Sequence, residues 1–327
     1  MTLLKTISFI SLIISSLTSI VWAQTSIIRV AYDAAANSPH GPMVKQFEHL
    51  IDQEFKGSIK IQLYPYNGQL NEGNILPELS KGNLDLAIPS LSNLSSYSQR
   101  FKMFDLPFLF YSQAAAERFL NGEYGARLAN SLWGKGYKGL GFLNNGMKQL
   151  AANKKILRPY DAVGLKVGIM DSEVLVQQYE QMGARSIVAH QDDIASLLET
   201  QKLDSHENNW LNIQDNELHK QQPFIMESNH GYQGFLVVMS REFWSALSQD
   251  VQPELQAILR EAIRYGNRAV NKKMEEARQH IMASGVTQVY RLTAEERQGW
   301  AESLQIVWEI FEDDIGTELI KVAASER

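Results

Sequence analysis

The chain lacks cysteine altogether, since none of its 327 residues carries a thiol. Disulfide bonds, thiolate nucleophiles and cysteine-based metal sites are therefore excluded together. Positive charge is also scarce, because 31 lysines and arginines stand against 37 aspartates and glutamates, for a formal charge of −6. Nucleic-acid binding needs a basic surface patch, and this balance argues against it.

Long hydrophobic runs are scarce as well, and the one that stands out lies at the N-terminus. Lys5 precedes an apolar stretch from Ile7 to Ile20, and small residues follow at Val21 and Ala23. This order predicts a secretory signal over residues 1–23 that is cleaved after Ala23. No later run approaches the roughly 20 apolar residues of a membrane-spanning helix. We expect a mature protein in the periplasm with no stable membrane insertion.

The rest of the chain alternates strand and helix patterns, which predicts an α/β fold with a mostly parallel sheet. At about 150 residues per domain, its length favours two lobes. The first series of strands and helices lies at residues 27–32, 42–57, 59–65, 72–81 and 84–88. A second series of the same kind lies at residues 150–153, 165–169, 172–182, 186–188 and 192–201.

Later segments predict connections between the two lobes. Residues 235–239 form an apolar strand pattern that returns to the first lobe, and residues 253–284 form an amphipathic helix long enough to brace both. Thr293 and Glu296 predict a capping box that opens the last helix. We predict lobe I at 24–150 plus about 236–270, and lobe II at 151–235 plus about 271–327. Several short crossings of this kind favour a hinge.

Common catalytic and cofactor motifs are incomplete in this chain. Gly134 to Gly139 matches G-x-G-x-x-G, but a helical pattern precedes it and a strand pattern follows, which reverses the context of a dinucleotide site. His206-Glu207 lacks the second histidine of a zinc motif, because position 210 is Trp210. We predict no cofactor, no metal site and no catalytic residues. Converging carboxylates would still permit a periplasmic hydrolase.

One polar segment has the composition of a recognition site. Residues 203–210 read Leu-Asp-Ser-His-Glu-Asn-Asn-Trp and combine an imidazole, carboxylates, amides and an indole. Such a mixture supplies hydrogen-bond donors and acceptors beside an aromatic wall, as sites for polar solutes require. A solvated surface loop is the alternative interpretation.

This segment resembles part of the central signature of the solute-binding proteins of TRAP (tripartite ATP-independent periplasmic) transporters, the DctP family. Other landmarks of that family follow the same order over the whole mature chain, at 37–39, 64–65, 69–70, 104–110, 158–161, 164–167, 182–184 and 239–244. The resemblance implies a two-lobed binding protein without enzymatic activity, whose cleft closes on a small organic acid. It also implies a small and a large membrane subunit as partners.

The chain departs from the family at the position of its arginine, which clamps the ligand carboxylate. Gly168 stands there, and a glycine cannot supply the two-pronged fork of a guanidinium. Lys154 is the leading candidate for a replacement cation, with Lys148 and Lys166 as weaker ones. Alternatively, the ligand carries no carboxylate and the backbone of Gly168 contacts it.

The resemblance assigns further ligand-binding residues in lobe II. Asn208 matches the family's ligand-facing amide, and the neighbouring Glu207 either contacts the ligand or holds the loop. His190 occupies a position that is usually aromatic, where it would stack on a ring or bond a hydroxyl. His230 matches a common histidine that supports the ligand or the hinge strands.

Asp33 and Ser90 represent lobe I in the predicted cleft. Asp33 follows the first strand, at the sheet edge that lines clefts in parallel α/β folds. A carboxylate there would repel the carboxylate of an acidic ligand but would accept hydrogen bonds from hydroxyl groups. We favour a sugar acid such as a uronate, with a neutral polyol as the competing ligand because of Gly168. An adaptor that signals to a membrane sensor is the alternative to transport.

Overall fold

The structure, a computed structural model, describes residues 26–67 and 69–326. The predicted signal segment and its cleavage site lie outside the described residues. Strands and helices alternate in two lobes that share a single nine-stranded sheet. The predicted α/β class and the two-lobed architecture are therefore confirmed.

The nine strands, in chain order, are β1 (Ser26–Tyr32), β2 (Ile59–Pro65), β3 (Leu86–Ala87), β4 (Tyr137–Ala152), β5 (Lys166–Ile169), β6 (Arg185–Val188), β7 (Ser205–Asn208), β8 (Phe224–Ser240) and β9 (Gln288–Arg291). They lie in the sheet order β2-β1-β3-β8-β4-β7-β5-β6, and β9 pairs with β8. Lobe I contains β1, β2 and β3, and lobe II contains β5, β6 and β7. All pairings within each of these two groups are parallel.

The helices, in chain order, are α1 (His40–Phe55), α2 (Ile75–Ser80), α3 (Gln113–Asn121), α4 (Glu123–Asn130), α5 (Glu173–Gln181), α6 (Ile194–Glu199), α7 (Trp210–Asp215), α8 (Arg241–Ala246), α9 (Val251–Ser284), α10 (Ala294–Ser303), α11 (Gln305–Ile315) and α12 (Thr317–Ser325). Short 3-10 helices lie at 93–96, 99–105, 133–135, 159–162, 191–193 and 218–220. Thr293 and Glu296 form the predicted capping box at the start of α10. The predicted last helix is divided, because α10 ends at Ser303 and α11 begins at Gln305.

Two long antiparallel strands connect the lobes. β4 and β8 pair from Tyr137↔Ser240 in lobe I to Ala152↔Phe224 in lobe II. The strand pattern that follows Gly139 and the one at 150–153 predict two separate strands, and this is wrong, since residues 140–152 all lie within β4. The register shifts between Asn144 and Met147, where Gly146 has a positive φ of 83°. This irregular segment is where the chain crosses between the lobes.

The long helix α9 spans both lobes, as predicted. Its first half packs with α1 and β4, where Leu255, Leu259 and Ile263 join the apolar core of lobe I. Its second half packs with α7, where Met274 and Ile281 join a core of lobe II. At about 1.5 Å per residue, 34 helical residues reach roughly 50 Å.

The C-terminal helices divide their contacts between the lobes. Trp300 of α10 lies in a core with β5 and α5 residues of lobe II. Phe311 of α11 and Ala323 of α12 lie instead in a core with residues of α3 and of the 3-10 helix 99–105. The proposed lobe boundaries at 150 and 235 fall inside β4 and β8, and they stay predictions. No helix within the described ranges is both long and apolar enough to cross a membrane.

Candidate functional site

The carboxyl ends of the parallel strands in one lobe face those of the other. In lobe I, Ser90 follows β3 and forms an isolated antiparallel bridge with Phe235 of β8. In lobe II, Asn208 at the end of β7 lies opposite Gln149 of β4. Both edges therefore meet the crossing segments of β4 and β8, near residues 144–149 and 229–235. We call the space between the two edges the cleft, and clefts at this edge are the usual ligand sites of parallel sheets.

Asn208 is fixed at the lobe II edge by its neighbours. Its side-chain nitrogen donates to Oε1 of Gln191 at 2.5 Å, and its oxygen accepts from Nδ2 of Asn212 at 2.9 Å. An amide nitrogen carries two hydrogens, and the second N–H of Asn208 makes none of the described hydrogen bonds. Nε2 of Gln191 is also enclosed and has no partner in the described ranges. The predicted amide thus lies at the lobe II edge of the cleft.

Carboxylates line the lobe I edge of the cleft. Oδ1 of Asp33 accepts a hydrogen bond from the Ala35 N–H at 3.0 Å. Oε1 of Glu72 accepts one from the Ser90 N–H at 2.8 Å. The structure therefore brings Glu72 to the predicted residue Ser90. Sequence reasoning missed Glu72, because it lies in a loop after β2 whose path no pattern reveals.

Two aromatic side chains beside these carboxylates were also missed. His40, the first residue of α1, packs edge to face against Phe235 with 4.4 Å between ring centroids and lies 6.3 Å from the ring of Tyr66. Burial raises the pKa of Tyr66, and the charges of Glu72 and Asp33 raise it further. Tyr66 follows the end of β2 as Asp33 follows β1, and that position was a usable signal.

Glu207 is the centre of a buried polar network on the other face of β7. Its Oε1 accepts from Nζ of Lys148 at 2.7 Å, and its Oε2 accepts from the Tyr179 hydroxyl at 2.8 Å. Nε2 of His230 lies 3.0 Å from the same Oε2, while its Nδ1 lies 2.7 Å from the Ser228 hydroxyl. A neutral imidazole satisfies both contacts, donating from Nε2 and accepting at Nδ1.

The electrostatics of this network favour the charged forms of both Glu207 and Lys148. Burial alone would raise the pKa of Glu207, but the ammonium of Lys148 and the hydrogen bond from His230 hold it well below its usual range. Burial opposes the charge on Lys148, yet Glu207 and Asp105 raise its pKa. Nζ of Lys148 lies 3.7 Å from Asp105. Lys148 thus has two anionic partners already. The arrangement supports a structural role for Lys148, Glu207 and His230, in which they stabilise the strands that carry them.

Gly168 lies inside β5, opposite His206 of β7. A Cβ atom there would come within 2.7 Å of Leu203 Cδ1 and 3.0 Å of Ile194 Cδ1. The room that an arginine stem would need is filled by these two apolar side chains. His206 is fully buried between Gly168 and Ala151. Neither ring nitrogen of His206 has a partner in the part of the chain that the structure describes.

The other candidate cations lie away from the cleft. Asn153 follows β4 and bonds to Asp204, just before β7 begins, so Lys154 is exposed at the amino edge of that strand. At about 3.3 Å per residue, this edge is roughly 13 Å from Asn208. Lys166 lies at the same edge and contacts Asp204 at 3.8 Å. The geometry does not support either lysine as a replacement clamp.

His190 is an exposed residue that follows β6 and precedes the 3-10 helix 191–193. Its position after a parallel strand places it on the lobe II edge with Asn208, and its side chain makes none of the described contacts. Among the described residues, no three histidine, aspartate or glutamate side chains are grouped so that they could hold a metal ion.

Two α/β lobes, connected by long strands and a bracing helix, with polar groups on facing sheet edges, define a bilobal solute-binding protein. The chain belongs to the family described as bacterial extracellular solute-binding protein, family 7 (DctP), whose sequence profile matches residues 30–314. The resemblance inferred from sequence is therefore confirmed.

Three known proteins illustrate this relationship. The C4-dicarboxylate-binding periplasmic protein DctP of Shewanella loihica is 36% identical over 99% of this chain and 96% of its own length. A TRAP periplasmic solute-binding protein from Shewanella oneidensis with bound succinate is 36% identical, has a TM-score of 0.84 and covers 92% of this chain and 99% of its own. The sugar acid binding protein DctPAm of Advenella mimigardefordensis, in complex with galactonate, is 25% identical, with a TM-score of 0.82, covering 93% and 98%. All three relatives are binding proteins.

Proposed function

We propose that this chain is the periplasmic binding subunit of a TRAP transporter, and that it captures a sugar acid or a similar hydroxylated organic acid. It then delivers the solute to a small and a large membrane subunit. The observation that carries this proposal is the pair of facing carboxyl edges, with polar side chains from both lobes. Family membership and the ligands of the named relatives support an organic acid.

The mechanism is a shift of population between open and closed arrangements of the lobes. Asp33, Glu72 and Ser90 would bind the solute from lobe I, while Asn208 and Gln191 would bind it from lobe II. A ligand that contacts both edges stabilises the closed arrangement by its differential affinity for it. The irregular β4 segment at Gly146 is the flexible connection that permits this movement.

A neutral polyol is the second candidate ligand, and Gly168 is the observation that favours it. Gly168 offers no guanidinium, Lys148 is already paired with Glu207 and Asp105, and Lys154 is exposed at the amino edge of β7. Beside these three residues, an acid would depend on neutral hydrogen-bond donors. A polyol needs no such compensation for charge.

A thermal-shift screen of the mature protein tests the proposal. We expect galactonate or glucuronate to raise the melting temperature more than succinate, L-malate or sorbitol, because a ligand that binds only the folded state stabilises it by mass action. At a ligand concentration of 100 times Kd, the gain is about 2.7 kcal/mol. If sorbitol alone shifts the melting temperature, the ligand is a neutral polyol. If no acid or polyol shifts it, the proposed function is wrong.

A further inference from the structure

His40 presents a fixed hydrogen-bond donor at the lobe I edge. Its Nδ1 accepts the backbone N–H of Asp33 at 3.0 Å, so the proton of the neutral ring is on Nε2. Burial lowers the pKa of His40 to about 4, which keeps the ring neutral at ordinary pH. Within the described ranges, Nε2 is enclosed and has no hydrogen-bond partner.

Tyr66 presents a second donor of the same kind beside it. The Tyr66 hydroxyl is enclosed and partnerless in the same ranges, and its ring meets that of His40 edge to face. Burial and the nearby carboxylates keep this hydroxyl protonated. An enclosed donor without an acceptor costs about 1–3 kcal/mol. Two such donors side by side indicate that a bound molecule supplies the acceptors.

Acceptors accompany the two donors. Asp33 and Glu72 each use one carboxylate oxygen for a backbone N–H, and neither forms an ion pair within residues 26–67 and 69–326. A hydroxyl group both donates and accepts, so it can bond a carboxylate and a neutral donor together. A ligand carboxylate can only accept, and it would be repelled by both acids. The Phe235 ring, which packs against His40, supplies an apolar surface next to them.

We propose that Tyr66, His40, Asp33 and Glu72 form a hydroxyl-binding subsite in lobe I, which takes adjacent hydroxyl groups of a polyhydroxylated ligand. Nε2 of His40 and the Tyr66 hydroxyl donate to the ligand oxygens, and the two carboxylates accept from their hydrogens. The ligand's acid group, where it has one, lies towards lobe II and away from Asp33 and Glu72. The inference rests on the proposed function and specifies its ligand class.

Calorimetric titration of Tyr66→Phe and Glu72→Gln against D-galactonate, D-glucuronate and succinate tests the subsite. Both substitutions keep the shape of the side chain, and Tyr160→Phe, which removes an exposed hydroxyl, is the matched control. We expect each subsite variant to bind the hydroxylated acid about tenfold more weakly, as the loss of one hydrogen bond implies. Glu72→Gln should not weaken succinate binding, since it removes a repelling charge.

Titration with deoxy analogues of the hydroxylated acid identifies the ligand hydroxyl that Tyr66 binds. For the analogue that lacks the hydroxyl bound by Tyr66, Tyr66→Phe and the wild type should have the same affinity. The interaction that the substitution removes is already absent from the wild-type complex with that analogue. Unchanged affinity of both variants for the hydroxylated acids would overturn the subsite while leaving the proposed function intact. Binding of succinate in preference to every hydroxylated compound would also overturn it. Failure of the wild-type protein to bind any acid or polyol would instead contradict the proposed function.

Discussion

His206 shows how a single buried residue couples the stability of this protein to pH. It lies between Ala151 and Gly168 on the two neighbouring strands, with both ring nitrogens unpartnered among the described residues. Burial lowers its pKa to about 4, although the charge of Glu207 acts in the opposite direction. A histidine in the unfolded chain titrates near 6.5. As pH falls through 6.5, the unfolded chain binds the proton first, and folding stability is lost until pH reaches about 4.

The substitution His206→Leu should remove this pH dependence. Between pH 7 and pH 5, we expect the wild type to lose on the order of 2 kcal/mol more unfolding free energy than the variant. Urea unfolding at both pH values measures the difference. His49→Gln is the control, because His49 is exposed and solvent already surrounds its ring. Equal pH dependence in His206→Leu and the wild type would show that His206 is not enclosed as described.

Residues of the site differ in how far the sequence could locate them. Asp33 directly follows a strand, so the rule for parallel sheets placed it at the cleft edge. Asn208 was placed by family resemblance. His40 and Glu72 could not be found in this way, because a helix start and a loop residue reach the edge only through tertiary packing. The clamp role of Lys154 stays a prediction that the geometry does not support, since its distance from the cleft depends on the direction of β4 relative to β7.

At the scale of elements, the packing of helix α9 depends on its close approach to α1 and β4 at one glycine. Gly266 is buried in the middle of the helix, and a Cβ there would lie 2.8 Å from Met43 Cβ of α1 and 3.0 Å from Leu143 Cδ1 of β4. Glycine normally weakens a helix interior by roughly 1 kcal/mol relative to alanine. Here the absence of a side chain permits α9 to touch α1 and β4 together.

Gly266→Ala should therefore destabilise the protein, in spite of the better helix propensity of alanine. Overpacking of a core typically costs about 1–3 kcal/mol, which exceeds the gain in propensity. Gly299→Ala is a matched control in α10, because a Cβ at Gly299 would meet nothing within 4 Å. We expect a gain of roughly 0.5–1 kcal/mol for that variant in the same urea unfolding assay. If both variants gain stability alike, α9 does not approach α1 this closely.

Elements were predictable where a regular pattern had clear boundaries. The bracing helix was expected at 253–284 and extends over Val251–Ser284, and the capping box at Thr293 is present. The long strands β4 and β8 were recognised only in part. Glycines interrupt the apolar pattern of β4 and bulges shift its register, so a periodicity of two residues is lost just where the strand crosses between lobes.

At the scale of the whole molecule, a buried lysine connects the lobes. Lys102 of the 3-10 helix 99–105 in lobe I lies 2.5 Å from Glu173 at the start of α5 in lobe II. It also lies 2.6 Å from Asp314 of α11. Nearby, the Ser172 hydroxyl donates to Oδ2 of Asp105 at 2.8 Å. These contacts hold the lobes in the arrangement of this structure, and any hinge movement must change them.

Lys102→Met should shift the balance between the arrangements of the lobes without touching the solute. The lysine side chain is 9% exposed, but Glu173 is 65% exposed, so solvent screening limits the effect to a modest free energy. We expect a Kd for the solute that is about three- to tenfold weaker and, by X-ray scattering, a larger radius of gyration without ligand. Lys81→Met is the control, because its ion pair with Glu78 lies within lobe I alone. An unchanged Kd and radius in Lys102→Met would mean that the lobes are held together by apolar packing around Val174 and Trp308 rather than by this charge.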